Sequence, residues 1–233
     1  MSQHIVTLDG ETDSIGFRRE ARALLAALVA PDEVSWLADA RHARQRFSRD
    51  PASPAGGQRA GTPHPLLPRS FMTLCETVLL HSAPQRFALL YRLLWRLVHE
   101  PGLQRNPLDA DRLQALHLAQ AVRRDMQKMK NLAQFDTVDG SAADEDAFQL
   151  AWFDPEHHIV EAMAPFFLRR LSPMHWALLT PERSVRWDGQ LLEFGPGVPD
   201  GDGLVGYRAA FGVALRTDRG SAPERSSLPG SAS

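Results

Sequence analysis

Residues Ala151 to Leu171, AWFDPEHHIVEAMAPFFLRRL, set acids, two adjacent histidines and two adjacent arginines beside an apolar run. Such a set suits a metal site, a catalytic centre, or merely the polar edge of a sheet. A metal needs donors that converge. His157 and His158 are neighbours, and on a strand neighbouring side chains point to opposite faces. Their spacing is not that of a helical zinc motif, so Glu156 with His158 supplies only the start of a ligand set. The single cysteine, Cys75, lies in the amphipathic helical pattern FMTLCETVLLH, where it is a small buried apolar residue. One cysteine also excludes an internal disulfide and a cysteine-ligated zinc or iron-sulfur site built within one chain.

Other chemistries find less. No Gly-x-Ser-x-Gly turn presents a nucleophilic serine. Asp144, Glu145 and Asp146 read as a solvated acidic run rather than a working carboxylate pair. The glycines of GPGVPDGDG follow a hairpin and do not open a helix, the wrong context for a phosphate cradle, and DGDG is too short for a calcium loop. No residue is therefore assigned a catalytic or metal-ligating role, and no cofactor is expected. His157 and His158 stay candidates for facing a ligand.

Cations are the feature that remains. Between Arg86 and Lys130 stand nine of them (Arg86, Arg92, Arg96, Arg105, Arg112, Arg123, Arg124, Lys128, Lys130) against Glu100, Asp109, Asp111 and Asp125, an excess hidden in a formal net charge of -2. Helical spacing puts Arg124 and Lys128 on one row and Arg123, Gln127 and Lys130 on the next. With Arg169 and Arg170 from a nearby short helix, they form a cluster that suits a phosphate backbone. The same cations suit a helix C-terminus and solubility, so the spacing alone leaves both readings open.

The elements that must position these residues follow from periodicity. A chain of 233 residues, 43% hydrophobic and 23% charged, has room for one sizeable core. It has no apolar run approaching the roughly 18 residues of a membrane helix and no signal-like start, which leads to an expectation of a cytoplasmic protein without membrane association. HIVTL, a turn at DGETDS, IGFRREARALLAALVA and EVSWL form a βαβ-like unit, with Phe17, Ala21, Leu24, Leu25 and Leu28 as the helix's apolar stripe and Pro31-Asp32 as its stop. Residues 40–68, rich in Pro, Gly, Arg and Ser, read as a mobile loop.

A helical middle follows. Ser70 caps a helix from Phe71 to His81, and Pro84 opens a second whose stripe is Phe87, Leu90, Tyr91, Leu94, Leu97 and Val98, with Arg86, Arg92 and Arg96 off it. A third runs from about Asp109 to Leu132, with Leu113, Leu116, Ala119, Val122, Met126 and Met129 on one face. Beyond Gly140 the pattern alternates: strands at FQLAWFD and HIVEAM joined by a turn at Asp154-Pro155, a short helix PFFLRRL opened by Pro165, then strands at HWALL, SVRW and LLEF, with Asp188-Gly189 as a two-residue hairpin turn. The fold class is mixed α/β: an N-terminal βαβ-like unit, a helical middle, and mainly antiparallel C-terminal strands with one short helix. Residues 1–199 read as a single domain and residues 200–233 as a disordered tail.

GFRREARALL, RFALLYRLLWRLVHEPGL, AVRRDMQKMK, AWFDPEHHIVEAMAPFFLRRLSPMHWALLTPERSVRWDG and FGPG, in that order, resemble the N-terminal domain of UdgX-type uracil-DNA-binding proteins over about Ile5 to Val198. That domain, of unknown function, precedes a uracil-DNA glycosylase domain, and related stand-alone forms accompany a radical-SAM protein. The resemblance implies a role in DNA repair or uracil-DNA metabolism. Taken with the basic cluster, it leads to an expectation of a non-catalytic, DNA-associated accessory module with Arg123, Arg124, Lys128, Lys130, Arg169 and Arg170 as DNA contacts, and the resemblance implies a glycosylase domain or radical-SAM protein as partner. The alternative is a protein-interaction domain for a repair enzyme without DNA contact. Gln127 and Gln134 depart from the family's pattern, and the glycosylase domain's cysteines and uracil pocket are not in this sequence. A frameshift at the Gly-, Ser- and Arg-rich end would account for that.

Overall fold

The computed structural model describes residues 3–38, 68–100, 102–138, 147–199 and 203–212. The expected loop at 40–68, Pro68 apart, and the acidic run at 144–146 lie outside the described residues. Strand β1 (His4–Leu8), helix α1 (Ser14–Ala26) and strand β2 (Val34–Ala38) form the expected βαβ unit, the strands pairing in parallel with Val6 opposite Trp36. Asp13 caps α1 by accepting the Gly16 N–H at 2.9 Å. Phe17, Ala21 and Leu24 are buried, but Leu28 is not part of their stripe. The helix has already ended: Val29 N–H closes back on the Leu24 carbonyl at 3.0 Å, and Leu28 takes a φ of 54° and is 70% exposed. This is the turn that helices usually finish with glycine.

The helical middle comprises α2 (Arg69–Val78), α3 (Arg86–His99) and α4 (Ala110–Leu132). Ser70 lies inside the first turn of α2 rather than at its cap, and Pro84 lies in the turn before α3. Helix α3 is apolar on most sides and correspondingly embedded, with Phe87, Leu89, Leu90, Tyr91, Leu93 and Leu94 all buried. Asp109 caps α4 through the Arg112 N–H at 3.0 Å. The buried face of α4 differs from the expected one, since Leu113 and Leu116 are 46% and 37% exposed while Ala115, Leu118, Ala119, Val122 and Met129 are covered. Two apolar rows compete on this helix; the row with small residues at 115 and 119 is the one packed against α2.

A five-stranded sheet forms the C-terminal half: β3 (Asp136–Val138), β4 (Phe148–Trp152), β5 (Trp176–Leu179), β6 (Arg183–Trp187) and β7 (Leu192–Pro196), ordered as in the chain. All neighbours are antiparallel except β4 and β5, whose parallel pairing needs the crossover helix α5 (Val160–Leu171). Here the expected strand at HIVEAM is corrected to helix. Ile159 and Val160 suggest a strand by type, but the buried positions Val160, Met163, Ala164, Phe167 and Leu171 repeat at helical spacing. Pro165 sits inside α5 instead of opening it, on the exposed side, where its missing N–H costs the bond to Glu161 while burial of the opposite face holds the helix. The β6–β7 connection is four residues rather than two: Asp188 Oδ1 accepts the Gln190 and Leu191 N–H groups at 2.8 and 2.7 Å, and Gly189 takes a φ of 92°.

The sheet is covered on both faces. Trp176, Leu178 and Val185 pack with α5 and the C-terminal half of α4, and Phe148, Leu150, Ala177 and Leu179 pack beneath Tyr207 of α6 (Gly203–Phe211). Helix α6 falls in the stretch expected as disordered tail; the apolar residues of GLVGYRAAF, Tyr207 above all, have a sheet face to bury. A separate cluster fills the N-terminal half, and α4 runs through both, with Ala115, Leu118 and Ala119 in the first and Val122 and Met129 in the second. No helix among the described residues is long and apolar enough to cross a membrane.

Candidate functional site

Where the two clusters meet, polar residues replace apolar ones. Asp125 of α4 is 2% exposed and accepts the His157 backbone N–H at 3.0 Å through Oδ2. Burial pushes its carboxyl above the usual aspartate range. His157 is buried with Nδ1 3.1 Å from Ser82 Oγ, and its ring lies 4.1 Å from that of His81. Burial, then the neighbouring ring, lowers the His81 pKa to about 4, and burial lowers that of His157 as well. Both rings are thus held neutral near pH 7.

His158 faces the other way. Its Nδ1 lies 2.7 Å from Glu182 Oε2, its Nε2 3.9 Å from Glu11 Oε2, and its backbone N–H donates to the Leu80 carbonyl at 2.9 Å. Arg86, expected off the apolar stripe of α3 and among the surface cations, is wholly buried. Its guanidinium donates to the carbonyls of Leu79 (3.1 Å), Ala83 (2.9 Å) and Glu11 (2.6 Å) and to the Glu11 carboxylate (2.6 Å). Glu161 pairs with Arg183 at 2.8 Å and accepts the Thr12 hydroxyl at 3.4 Å. This seam ties the β1–α1 loop, the α2–α3 turn, the start of α5 and the β5–β6 turn together. Most of its polar groups have partners within the fold, but among the described residues Asp125 Oδ1 and His157 Nε2 are buried without a hydrogen-bond partner, and no group of three or more His, Cys, Asp or Glu is arranged to hold a metal ion. Cys75 is buried, and burial pushes its thiol up to about 12, the state of an unreactive apolar residue.

The basic residues sort into two groups. Arg92 and Arg96 meet Asp111 at 2.7 and 2.8 Å, and Arg96 also meets Asp109 at 2.7 Å and Glu100 at 3.1 Å, so the charge excess around the α3–α4 junction is largely cancelled. Lys128 pairs with Glu156 across to the loop before α5, which raises the lysine's pKa and lowers the glutamate's. Arg123, Arg124 and Arg169 are exposed and form no ion pair among the described residues. Arg170 is exposed and donates to the Lys130 carbonyl at 3.3 Å, while the Lys130 ammonium lies 5.1 Å over the Phe166 ring. The outer ends of α4 and α5 thereby share one cationic rim. A shallow open depression on α4, lined by Gln120, Arg123, Arg124 and Gln127, adjoins it.

Of the residues singled out in the sequence, the structure brings Lys130 and Arg170 together and sets Lys128 against an acid. It also turns His157 and His158 inward to opposite sides of the seam. Sequence reasoning misses the seam roles of Arg86, Asp125, Glu11, Glu182 and Arg183. Arg86 alone carries a signal, since it directly precedes Phe87 at the start of a helix apolar on most sides.

The fold and these sites define a mixed α/β domain with a polar interior seam and an exposed cationic rim. Residues 84–194 match the family model of a domain of unknown function (DUF4130), a span from the turn before α3 into β7 that takes in both α4 and α5. No curated protein and no solved structure matches the chain.

Proposed function

We propose that this domain is a non-catalytic, DNA-associated accessory module that positions a uracil-DNA glycosylase domain or a partner repair enzyme on nucleic acid. The observation that carries the reading is the rim: Arg123 and Arg124 in the second half of α4, Lys130 near its end, and Arg169 and Arg170 at the end of α5 have no carboxylate partner among the described residues. Cations so placed attract a phosphate backbone and release its counter-ions. The resemblance to the N-terminal domain of UdgX-type proteins supplies the biological setting. Replacing Arg123, Arg124, Lys128 and Lys130 with glutamine should weaken binding to labelled DNA and flatten its salt dependence, by about 0.9 in the log–log slope for each phosphate no longer neutralised. Unchanged binding would contradict the reading.

A second reading, a protein-interaction domain without DNA contact, draws on the exposed Leu113 and Leu116 at the N-terminal end of the same helix. Retention of a glycosylase or radical-SAM partner through high salt and nuclease, abolished in Leu113→Ser/Leu116→Ser, would favour it.

A further inference from the structure

Not every residue on the outer face of α4 is explained by attraction to phosphate. Gln120, Arg123, Arg124, Gln127 and Asn131 are all exposed, at helical spacings that form one polar line along the helix. The line covers residues 120–131, about 16 Å of helix, the length of four to five base steps of duplex DNA. Arginine and the side-chain amides are the residue types whose paired donors and acceptors match base edges: Arg with guanine O6 and N7, Asn or Gln with adenine N6 and N7. Amides also bond phosphate oxygens, but the DNA backbone offers no hydrogen-bond donor, so their carbonyl oxygens find a partner only at base edges. Gln127 Nε2 donates to Asn131 Oδ1 at 3.3 Å, which holds the two amides side by side on the outer face. The two arginines of the line also contrast with their neighbours. Arg92, Arg96 and Lys128 are held by acids, whereas Arg123 and Arg124 flank the shallow depression with no ion pair among the described residues. Lys130, Arg169 and Arg170 stand to one side, where a groove-bound helix meets the sugar-phosphate wall.

We infer that the exposed line Gln120, Arg123, Arg124, Gln127 and Asn131 of α4 reads base edges in the major groove of duplex DNA, while Lys130, Arg169 and Arg170 hold the backbone. This rests on the DNA-association reading and makes it sequence-selective. The major groove is about 12 Å wide and admits an α-helix, and α4 is exposed along this side over the whole line. The substrate is therefore a duplex with a guanine- and adenine-containing core, rather than single strands of any sequence.

The test is selection of the full chain against a pool of labelled duplexes with a randomised core of about eight base pairs, sequencing the bound fraction at low salt. The expected result is enrichment of a core of about four to five base pairs containing guanine and adenine, each preferred base favoured about tenfold. Arg123→Lys/Arg124→Lys, which keeps both charges but removes the paired donors, should erase the guanine preference. Gln120→Ala/Gln127→Ala should erase the adenine preference in the same way. Salt-sensitive binding with a bound pool as diverse as the input, or enrichment that survives the lysine variant, overturns base reading and leaves the DNA reading standing. No binding of the pool at low salt overturns both.

Discussion

Helix α5 begins and ends in opposite electrostatic surroundings. At its start, His158, Glu161, Arg183 and Arg86 each face a counter-charge or carbonyl inside the fold; at its end, Arg169 and Arg170 point outward beside Lys130, with no acid paired to them among the described residues. The difference follows from solvent. A charge removed from water survives only if partners replace its hydration, so the seam can hold Arg86 only because four acceptors surround it. A charge left in water needs no partner and stays available for an external one. Polar residues near the same helix therefore do two jobs, joining the halves of the domain and presenting charge, and substitutions should separate them.

The largest separation is expected from Arg86→Met. Removing the buried guanidinium strands the Leu79, Ala83 and Glu11 acceptors and should cost roughly 3–5 kcal/mol in urea unfolding, while the DNA binding proposed for the rim should be unchanged at temperatures well below the transition. Asp125→Ala removes the acceptor of the His157 N–H and should cost roughly 1–3 kcal/mol by the same measurement. A cost below about 0.5 kcal/mol, the scale of surface changes, would show that the seam is not what fixes the start of α5.

Acid should weaken the seam before the rim. The His81 and His157 pKa values are lowered in the folded state, so the unfolded chain binds more protons once pH falls below the usual histidine value. Their contribution is full above pH 6.5 and is lost as pH falls from there toward about 4 at His81. The raised carboxyl of Asp125 works oppositely, its contribution being lost as pH rises through its folded value. Thermal midpoints measured from about pH 7 down to about pH 4.5 should fall, and His81→Phe, which keeps a ring beside His157 without a titrating group, should flatten that fall.

How far the fold can be read from the sequence depends on which force sets each element. The βαβ unit, the span of α4 and strands β4 to β7 follow from local periodicity and caps, with small shifts at their ends. The start of α5 does not, because His157, Ile159 and Val160 match a strand by residue type, and only the sheet above them decides that the repeat of Val160, Met163 and Phe167 is a buried helical face. Helix α6 escapes a sequence reading because glycine-rich composition outweighs one tyrosine until the cover for β4 and β5 is known. The rim arginines follow from spacing on α4; the burial of Arg86 does not, since its partners lie 75 residues away at Glu11 or in turn carbonyls that no pattern marks.

The smallest effect should come from Leu28→Gly. It relieves a φ of 54° at an exposed position and should stabilise the fold by about 0.5–1 kcal/mol in urea unfolding. Seam and rim behaviour should be unchanged, and a destabilised variant would show that the leucine side chain itself contributes packing.

That the seam holds the fold while the rim meets nucleic acid is tested most directly by one paired measurement. Arg123→Gln/Arg124→Gln/Lys130→Gln/Arg169→Gln/Arg170→Gln and the unsubstituted chain are compared for thermal midpoint and for anisotropy titration against labelled duplex DNA at two salt concentrations. The expected result is a midpoint unchanged to within a few degrees and an end to salt-sensitive binding. Equal binding by both chains, or none by the unsubstituted chain at low salt, would contradict it.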